Sequence, residues 1–184
     1  TLFRSGQISC VPLICVSSFL KPFARILPLL LVLTCISLLS IRQLSDPDLG
    51  FHLKYGKWIS EQGSVPQNDL STYTVGHHPY ADLQWGFQWI LYQTYRLTGY
   101  SGISFLVFFV ALIIALLLWL RLRENRVPET YAAGALLCAF LVMEPRITAR
   151  PEIFSFLLFS VVLRLTGDYR KGRKRAVWLL PLTM

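Results

Sequence analysis

An apolar run over residues 103–120 contains no charged residue, and it constrains the fold more than any other feature of this chain. A helix needs about 20 predominantly apolar residues to cross the roughly 30 Å hydrocarbon core of a bilayer. With its flanks, this run reaches that length. The whole chain is 54% hydrophobic and 15% charged, which is typical of membrane proteins. We therefore expect an all-α integral membrane protein, built as a multi-span helical bundle.

Three further apolar runs accompany this span, over residues 23–39, 131–143 and 153–163. The first is long enough, with its flanks, to be another span, whereas the other two are short for a full crossing at about 1.5 Å per residue. A polar break with two prolines, residues 144–152, separates the two short runs. This pattern predicts a pair of short helices that meet at a polar turn. They form either two abbreviated spans or a hairpin that dips into the membrane.

The ends of the sequence suggest a larger protein, because it starts at Thr1 and stops within a fresh apolar run, residues 176–184. We interpret residues 1–22 as an N-terminal cytoplasmic or interfacial segment. Residues 23–184 are then the N-terminal part of a transmembrane domain.

The basic residues assign sides to the predicted spans. Lys21 precedes the predicted span over residues 23–39, and Arg25 lies at its start. Further basic clusters over residues 121–126 and 164–175 follow the apolar runs 103–120 and 153–163. Positive loops stay on the cytoplasmic side, so residues 42–101 are expected on the outer side of a bacterial inner membrane. This topology accounts for the net charge of +8, and we expect membrane lipids rather than nucleic acid as partners.

The predicted outer loop, residues 42–101, begins with a helical pattern. Asp46 suits the N-cap, Pro47 the first helical position and Gly63 the stop. The apolar face of this helix comprises Leu49, His52, Leu53, Gly56 and Ile59. This spacing predicts an amphipathic helix on the outer membrane face.

A second helical pattern covers residues 82–97 and ends at Gly99, after a turn-rich stretch over residues 64–80. Its aromatic side chains are Trp85, Phe87, Trp89, Tyr92 and Tyr95. Aromatic residues of this kind favour the boundary between membrane and water. The outer loop is therefore expected to carry two amphipathic interfacial helices.

Asp46 and Asp48 follow the first span, where the chain should leave the membrane. They have a structural interpretation, as a cap and as a first-turn charge on the helix dipole. They also suit a general base, or a site for a divalent cation. His52 lies one turn after Asp48 on the same helix face and could share that site.

Arg146 and Arg150 lie in the polar break, on the predicted outer side, where the charge rule disfavours arginine. A guanidinium group matches phosphate geometry with two parallel hydrogen bonds, so the pair suggests a lipid phosphate head group. The alternative is internal pairing with Glu144 and Glu152. Both interpretations hold if the glutamates orient the arginines.

These motifs together resemble the membrane-embedded glycosyltransferases of the GT-C fold, which include dolichyl-phosphate-mannose protein mannosyltransferases and bacterial enzymes that use polyprenyl-phosphate sugars. The resemblance covers roughly residues 24–164. Its matching stretches are Asp-Pro-Asp-Leu-Gly-Phe-His-Leu-Lys-Tyr-Gly-Lys-Trp-Ile over residues 46–59, Val-Pro-Gln-Asn-Asp over 65–69, Ser-Thr-Tyr-Thr over 71–74, and the arginine-proline turn over 146–152. The order of these motifs along the chain carries the resemblance.

The resemblance implies inverting transfer of a sugar from a lipid-phosphate donor to a glycan, lipid or protein acceptor on the outer face. Asp48 or Asp46 would be the general base. Arg146 and Arg150 would hold the departing phosphate, with His52 and Glu152 beside them. No cofactor is required by this chemistry, although the participation of a divalent cation is left open.

Two other functions fit the same residues. One is a non-enzymatic transporter or flippase whose broken third and fourth segments line a polar path. The other is a polysaccharide-assembly scaffold whose aromatic outer helices bind another protein.

Overall fold

The computed structural model of this chain describes residues 30–38, 46–72 and 78–173. Of these residues 76% are helical, and none of them forms a β-strand, so the all-α prediction is confirmed for this part of the chain. The helices are α1 (the described residues 30–38), α2 (Leu49–Gln62), α3 (Trp85–Glu124), α4 (Glu129–Met143) and α5 (Glu152–Arg170), with a 3₁₀ turn over Glu144–Arg146. The predicted N-terminal segment, residues 1–22, lies outside the described residues.

Helix α3 alone, among the described helices, is long and apolar enough to cross a membrane. Only 39% of its most apolar stretch is buried, and outward-facing side chains such as Phe105, Phe109 and Leu116 are exposed. A core helix of a soluble protein would bury most of such a surface, so this exposure supports contact with lipid. Helix α4 has 15 residues, fewer than a crossing needs. The multi-span bundle therefore stays a prediction.

Helix α3 is broken at Gly99, where the sequence predicted a stop. The backbone there has φ 69° and ψ −156°, a conformation that is essentially restricted to glycine. The helix before this break starts at Trp85, three residues later than predicted, and helical structure resumes directly after it. Gly99 thus divides α3 into an aromatic first part and an apolar second part.

The two parts of α3 are not collinear, as their contacts with α5 show. Phe154 of α5 packs against Phe87, with ring centroids 5.7 Å apart, while Arg164 of α5 forms an ion pair with Glu124. From Phe154 to Arg164 the helix rises about 15 Å, whereas a straight helix from Phe87 to Glu124 would extend about 55 Å. Helix α5 can contact both ends of α3 only because the chain bends sharply at Gly99.

Helix α2 packs against the first part of α3 through the apolar face that the sequence predicted. Its buried residues are Leu49, His52, Tyr55, Gly56 and Ile59, and Leu53 is half-buried. Gly56 permits the close approach, because an added Cβ would overlap the carbonyl of Gln88 and lie 2.7 Å from Cβ of Tyr92. Gly63 ends the helix as predicted, with φ 66° and its N–H donating to the carbonyl of Ile59 at 3.0 Å.

The turn-rich stretch after α2 is held by Asp69. Its carboxylate accepts hydrogen bonds from the hydroxyl of Tyr55 at 2.8 Å and from the amide of Ser71 at 2.7 Å. Together with the hydroxyl of Thr72, these donors hold the pKa of Asp69 well below its usual range. The amide of Tyr80 donates to the carbonyl of Gln67 at 2.8 Å. These bonds bring the chain before α3 back beside α2.

A single apolar core joins the second part of α3 to α1, α4 and the start of α5. Its members outside α3 include Val32, Ile36, Ala132, Leu136, Phe140, Ile147, Ala149 and Ile153. The ends of α3 and α5 are joined by ion pairs that Glu124 makes with Arg164 and, at 2.6 Å, with Lys171. The core therefore holds the turn between α4 and α5 in a fixed position.

Candidate functional site

The candidate site forms where the turn before α5 meets the start of α2. Pro145 and Pro151 interrupt helical structure in this turn, since proline removes a backbone donor and disfavours helix in the residue before it. Ile147 and Ala149 are buried in the apolar core. Arg150, which follows them, is partly exposed and reaches the acids that precede α2.

Arg150 and Asp46 form a two-pronged ion pair. Nε of Arg150 donates to Oδ2 of Asp46 at 2.6 Å, and Nη2 donates to Oδ1 at 3.1 Å. The side chain of Asp46 is only 3% exposed and that of Arg150 is 30% exposed. Parallel hydrogen bonds of this kind are among the strongest contacts between charged side chains.

The carboxylate of Asp46 is further occupied by the amide of Asp48, which donates to Oδ1 at 3.0 Å. Burial raises the pKa of Asp46, but the hydrogen bond and charge of Arg150 and the amide of Asp48 outweigh it, so the pKa is lowered. Asp46 is therefore an anion whose oxygens already accept three hydrogen bonds.

Asp48 lies in a different environment, because its side chain is 58% exposed. Oδ2 of Asp48 is 3.3 Å from Nη2 of Arg150. Asp48 is also the N-cap residue of α2, although its carboxylate makes no capping hydrogen bond. This corrects the predicted helix start, since Asp46 is not the N-cap and Pro47 is not the first helical residue. The Asp46 carboxylate is drawn to Arg150, and the helix begins two residues later than predicted, at Leu49.

Arg146 pairs with Glu152, as one of the two alternatives predicted, with Nη1 of Arg146 3.0 Å from Oε1 of Glu152. Arg150 turns instead to Asp46 and Asp48. This pairing was not predicted from the sequence, because the partners are 104 residues apart.

Two cavities lie beside the ion pair. The larger has a volume of about 480 Å³ and is lined by Asp48, Phe51, His52, Tyr80, Ala81, Leu83, Gln84, Arg150, Pro151 and Glu152. The smaller has a volume of about 360 Å³ and is lined by Asp46, Pro47, Pro145, Arg146, Thr148 and Arg150. Both volumes fall in the range of small-molecule sites. The structure thus brings all six candidate residues to these two cavities, with Arg150 between them.

His52 forms part of the larger cavity and is 4% exposed. Its ring packs edge-on against Phe87, with centroids 5.2 Å apart. Burial lowers the pKa of His52, although the charges of Asp48, Asp46 and Asp82 act in the opposite direction. Nδ1 has no hydrogen-bond partner among the described residues. His52 therefore places a buried imidazole at the cavity wall, with one nitrogen left without a hydrogen-bond partner among the described residues.

Tyr80, Leu83 and Gln84 complete the lining of the larger cavity, and they were not predicted as site residues. They precede α3 in a short segment that Asp82 organises. Oδ1 of Asp82 accepts the amide of Gln84 at 3.0 Å and the side-chain amide of Gln88 at 3.2 Å. In the sequence, the signal that could have indicated this part of the lining was Asp82, an acid shortly before an aromatic-rich helix.

A metal site is not evident in the described ranges, because no group of three or more His, Cys, Asp or Glu side chains there is placed to hold an ion. The two acids that could have formed such a site are both turned toward Arg150. What the arrangement offers instead is a carboxylate, a guanidinium group and an imidazole around one cavity.

No protein-family model, curated protein or solved structure matches this chain. The resemblance to GT-C glycosyltransferases therefore stays a prediction from the order of the motifs.

Proposed function

We propose that this chain carries the donor-phosphate and general-base residues of a membrane glycosyltransferase, which transfers a sugar from a polyprenyl- or dolichyl-phosphate donor to a glycan, lipid or protein acceptor. One observation carries the proposal. Asp48 and Arg150 line the same cavity, with their charged groups 3.3 Å apart. Glycosyl transfer from a lipid phosphate needs a base for the acceptor and a cation for the leaving group. In an inverting transfer these two groups act on opposite faces of the sugar, so Asp48 and Arg150 supply them once a bound sugar separates their ion pair.

The contacts favour Asp48 over Asp46 as the base. A general base needs a carboxylate oxygen that can reach the acceptor hydroxyl. Asp46 is buried, and its oxygens are occupied by Arg150 and by a backbone amide, so it is a positioning residue for the arginine. Asp48 is mostly exposed at the cavity. In the proposed step its carboxylate accepts the hydroxyl proton while the acceptor oxygen bonds to the anomeric carbon.

The two arginines suit the leaving group. As the bond from the anomeric carbon to the phosphate oxygen breaks, the electron pair stays with the lipid phosphate, whose charge increases. Arg150 uses Nε and Nη2 for Asp46, and within the described chain Nη1 makes no hydrogen bond. Arg146, held by Glu152, lines the adjoining cavity. A fixed cation placed where negative charge develops stabilises the transition state.

The membrane arrangement is part of the same proposal. Helix α3 crosses the membrane, α1, α4 and α5 contribute further membrane-embedded helices, and residues 42–101 lie on the outer face of a bacterial inner membrane. The exposed Trp85 and Trp89 on the first part of α3 then contact the interface. A lipid-linked donor would reach the arginines from the bilayer.

The test uses the full-length gene product in membranes with a labelled polyprenyl-phosphate sugar, and compares Asp48→Asn with Glu61→Gln. Glu61 is an exposed acid on the same helix and pairs with Lys57 at 3.7 Å. We expect Asp48→Asn to lower kcat by about 100-fold or more, the usual contribution of a general base. Glu61→Gln should leave transfer unchanged.

Undiminished transfer by Asp48→Asn at matched expression would contradict this role. If the wild type transfers no sugar but moves the labelled lipid across vesicles, the transporter hypothesis replaces the enzyme hypothesis.

A further inference from the structure

A third cavity, which is apolar, lies along α3 and shares no residue with the candidate site. Its volume is about 350 Å³. Helices α1 and α4 contribute to its walls, and the lining residues of α3 are Leu112, Ala115, Leu116, Trp119, Leu120 and Arg123. The α3 residues recur every three or four positions, so they form one stripe that rises about 16 Å along the helix. We call this cavity the α3 groove.

Arg123 is the one charged residue in the lining of the α3 groove. It is exposed, and within the part of the chain that the structure describes it has no acidic partner. Three basic residues near the end of α5 differ in this respect. Arg164 and Lys171 pair with Glu124, and Arg173 pairs with Asp168 at 3.3 Å. The charge of Arg123 is therefore uncompensated at one end of an apolar groove.

The position of Arg123 along α3 matches that of a lipid head group. The uncharged run ends at Leu120, so Arg123 follows the hydrocarbon region by about one helical turn. Trp119, one turn earlier, is the kind of residue found at this boundary. Anionic lipids attract arginine there, and guanidinium groups bind phosphate oxygens with good geometry.

We propose that the α3 groove binds one acyl chain of an anionic membrane phospholipid, whose phosphate contacts Arg123. The apolar walls exclude a free nucleotide or sugar phosphate, since their polar groups would find no partners there. This site is separate from the proposed sugar transfer and shares with it only the membrane crossing of α3. The lipid would be a bound structural component rather than the donor.

The experiment measures quenching of tryptophan fluorescence by brominated lipid. The full-length protein is reconstituted in phosphatidylcholine vesicles that contain increasing fractions of dibrominated phosphatidylglycerol. The Trp119 signal is obtained by subtracting the signal of Trp119→Phe. A brominated chain in the α3 groove contacts this ring directly, so quenching reports occupancy.

We expect half-maximal quenching at a lower fraction of phosphatidylglycerol than of dibrominated phosphatidylcholine. Arg123→Gln should raise the half-maximal fraction about fivefold, the effect of one arginine near an anionic surface. The control is Arg126→Gln, which removes the same charge from an exposed residue that does not line the groove, and it should change the fraction little.

Three results would overturn the proposal. The first is equal quenching by the two lipids in the wild type, which needs no variant to fold. The second is an unchanged half-maximal fraction in Arg123→Gln. The third is an equal rise in the half-maximal fraction in Arg126→Gln, because general surface charge would then explain the preference for phosphatidylglycerol. Loss of lipid binding with intact sugar transfer, or the reverse, separates this site from the proposed active site.

Discussion

At the scale of single residues, two aspartates that are two positions apart, Asp46 and Asp48, lie in different environments. The carboxylate of Asp46 is buried and makes two hydrogen bonds with Arg150, whereas that of Asp48 is exposed and lies 3.3 Å from Nη2 of the same guanidinium group. The difference in burial decides how much each contributes to stability. A buried charge that loses its partner is costly, while an exposed pair contributes little.

We therefore predict that Asp46→Asn lowers the free energy of unfolding by about 1.5–3 kcal/mol, the contribution of hydrogen bonds to a charged group. Asp48→Asn should lower it by less than about 1 kcal/mol. Chemical denaturation of the purified full-length protein, followed by circular dichroism, compares the two variants. Equal stability of the two would mean that the Asp46–Arg150 pair does not hold the turn to α2.

The histidine in the larger cavity should make stability depend on pH. Burial lowers the pKa of His52 in the folded protein, so between the folded value and about 6.5 the unfolded chain binds a proton that the folded protein does not. Acidification from pH 7.5 to 5.5 should therefore lower the apparent Tm. His52→Phe, which keeps the contact with Phe87, should make this pH dependence shallower.

Asp46 does not account for such a change, because its folded pKa is lowered. Its contribution to stability is complete above about pH 3.9 and is lost only as the pH falls through the folded value. An equally steep decrease in Tm between pH 7.5 and 5.5 in His52→Phe would assign the effect to another group.

At the scale of elements, two glycines on α2 offer a matched pair. A Cβ at Gly56 would overlap the backbone of Gln88 in α3, whereas a Cβ at Gly50 would meet nothing within 4 Å. Gly56→Ala should lower the free energy of unfolding by about 1–3 kcal/mol, because the two helices must move apart. Gly50→Ala should raise it by about 0.5–1 kcal/mol through lower chain entropy.

Thermal unfolding of both variants tests the packing of α2 on α3. If Gly56→Ala is as stable as Gly50→Ala, the two helices do not approach at this glycine. The comparison needs no assay of activity, so it is independent of the proposed function.

Much of the fold could be predicted from local signals in the sequence. Gly63 and Gly99 mark helix ends because glycine alone adopts their backbone angles easily, and the buried face of α2 follows from its helical spacing. The start of α2 was wrong by two residues because its local signal, an aspartate before a proline, was overridden by a distant partner, Arg150. Local patterns contain no information about such a partner.

At the scale of the whole molecule, the same limit applies to the candidate site. Asp48 and Arg150 were selected because each residue type conflicts with its predicted place beside a membrane. Their contact depends on the direction of the bend in α3 at Gly99 and on the packing of α5. The sequence marks the break at Gly99 but indicates neither its direction nor this packing. Tyr80 and Gln84 escaped selection because they are ordinary residues for an exposed turn.

The distance along the chain between Asp46 and Arg150 also has a consequence for biosynthesis. These partners are separated by 104 residues, and ribosomes add about 5–20 residues per second. Asp46 therefore emerges roughly 5–20 s before the arginine that neutralises it. Until then the nascent chain holds an unpaired acid at the start of α2. The two cavities beside the ion pair come into existence only after the turn before α5 has been translated.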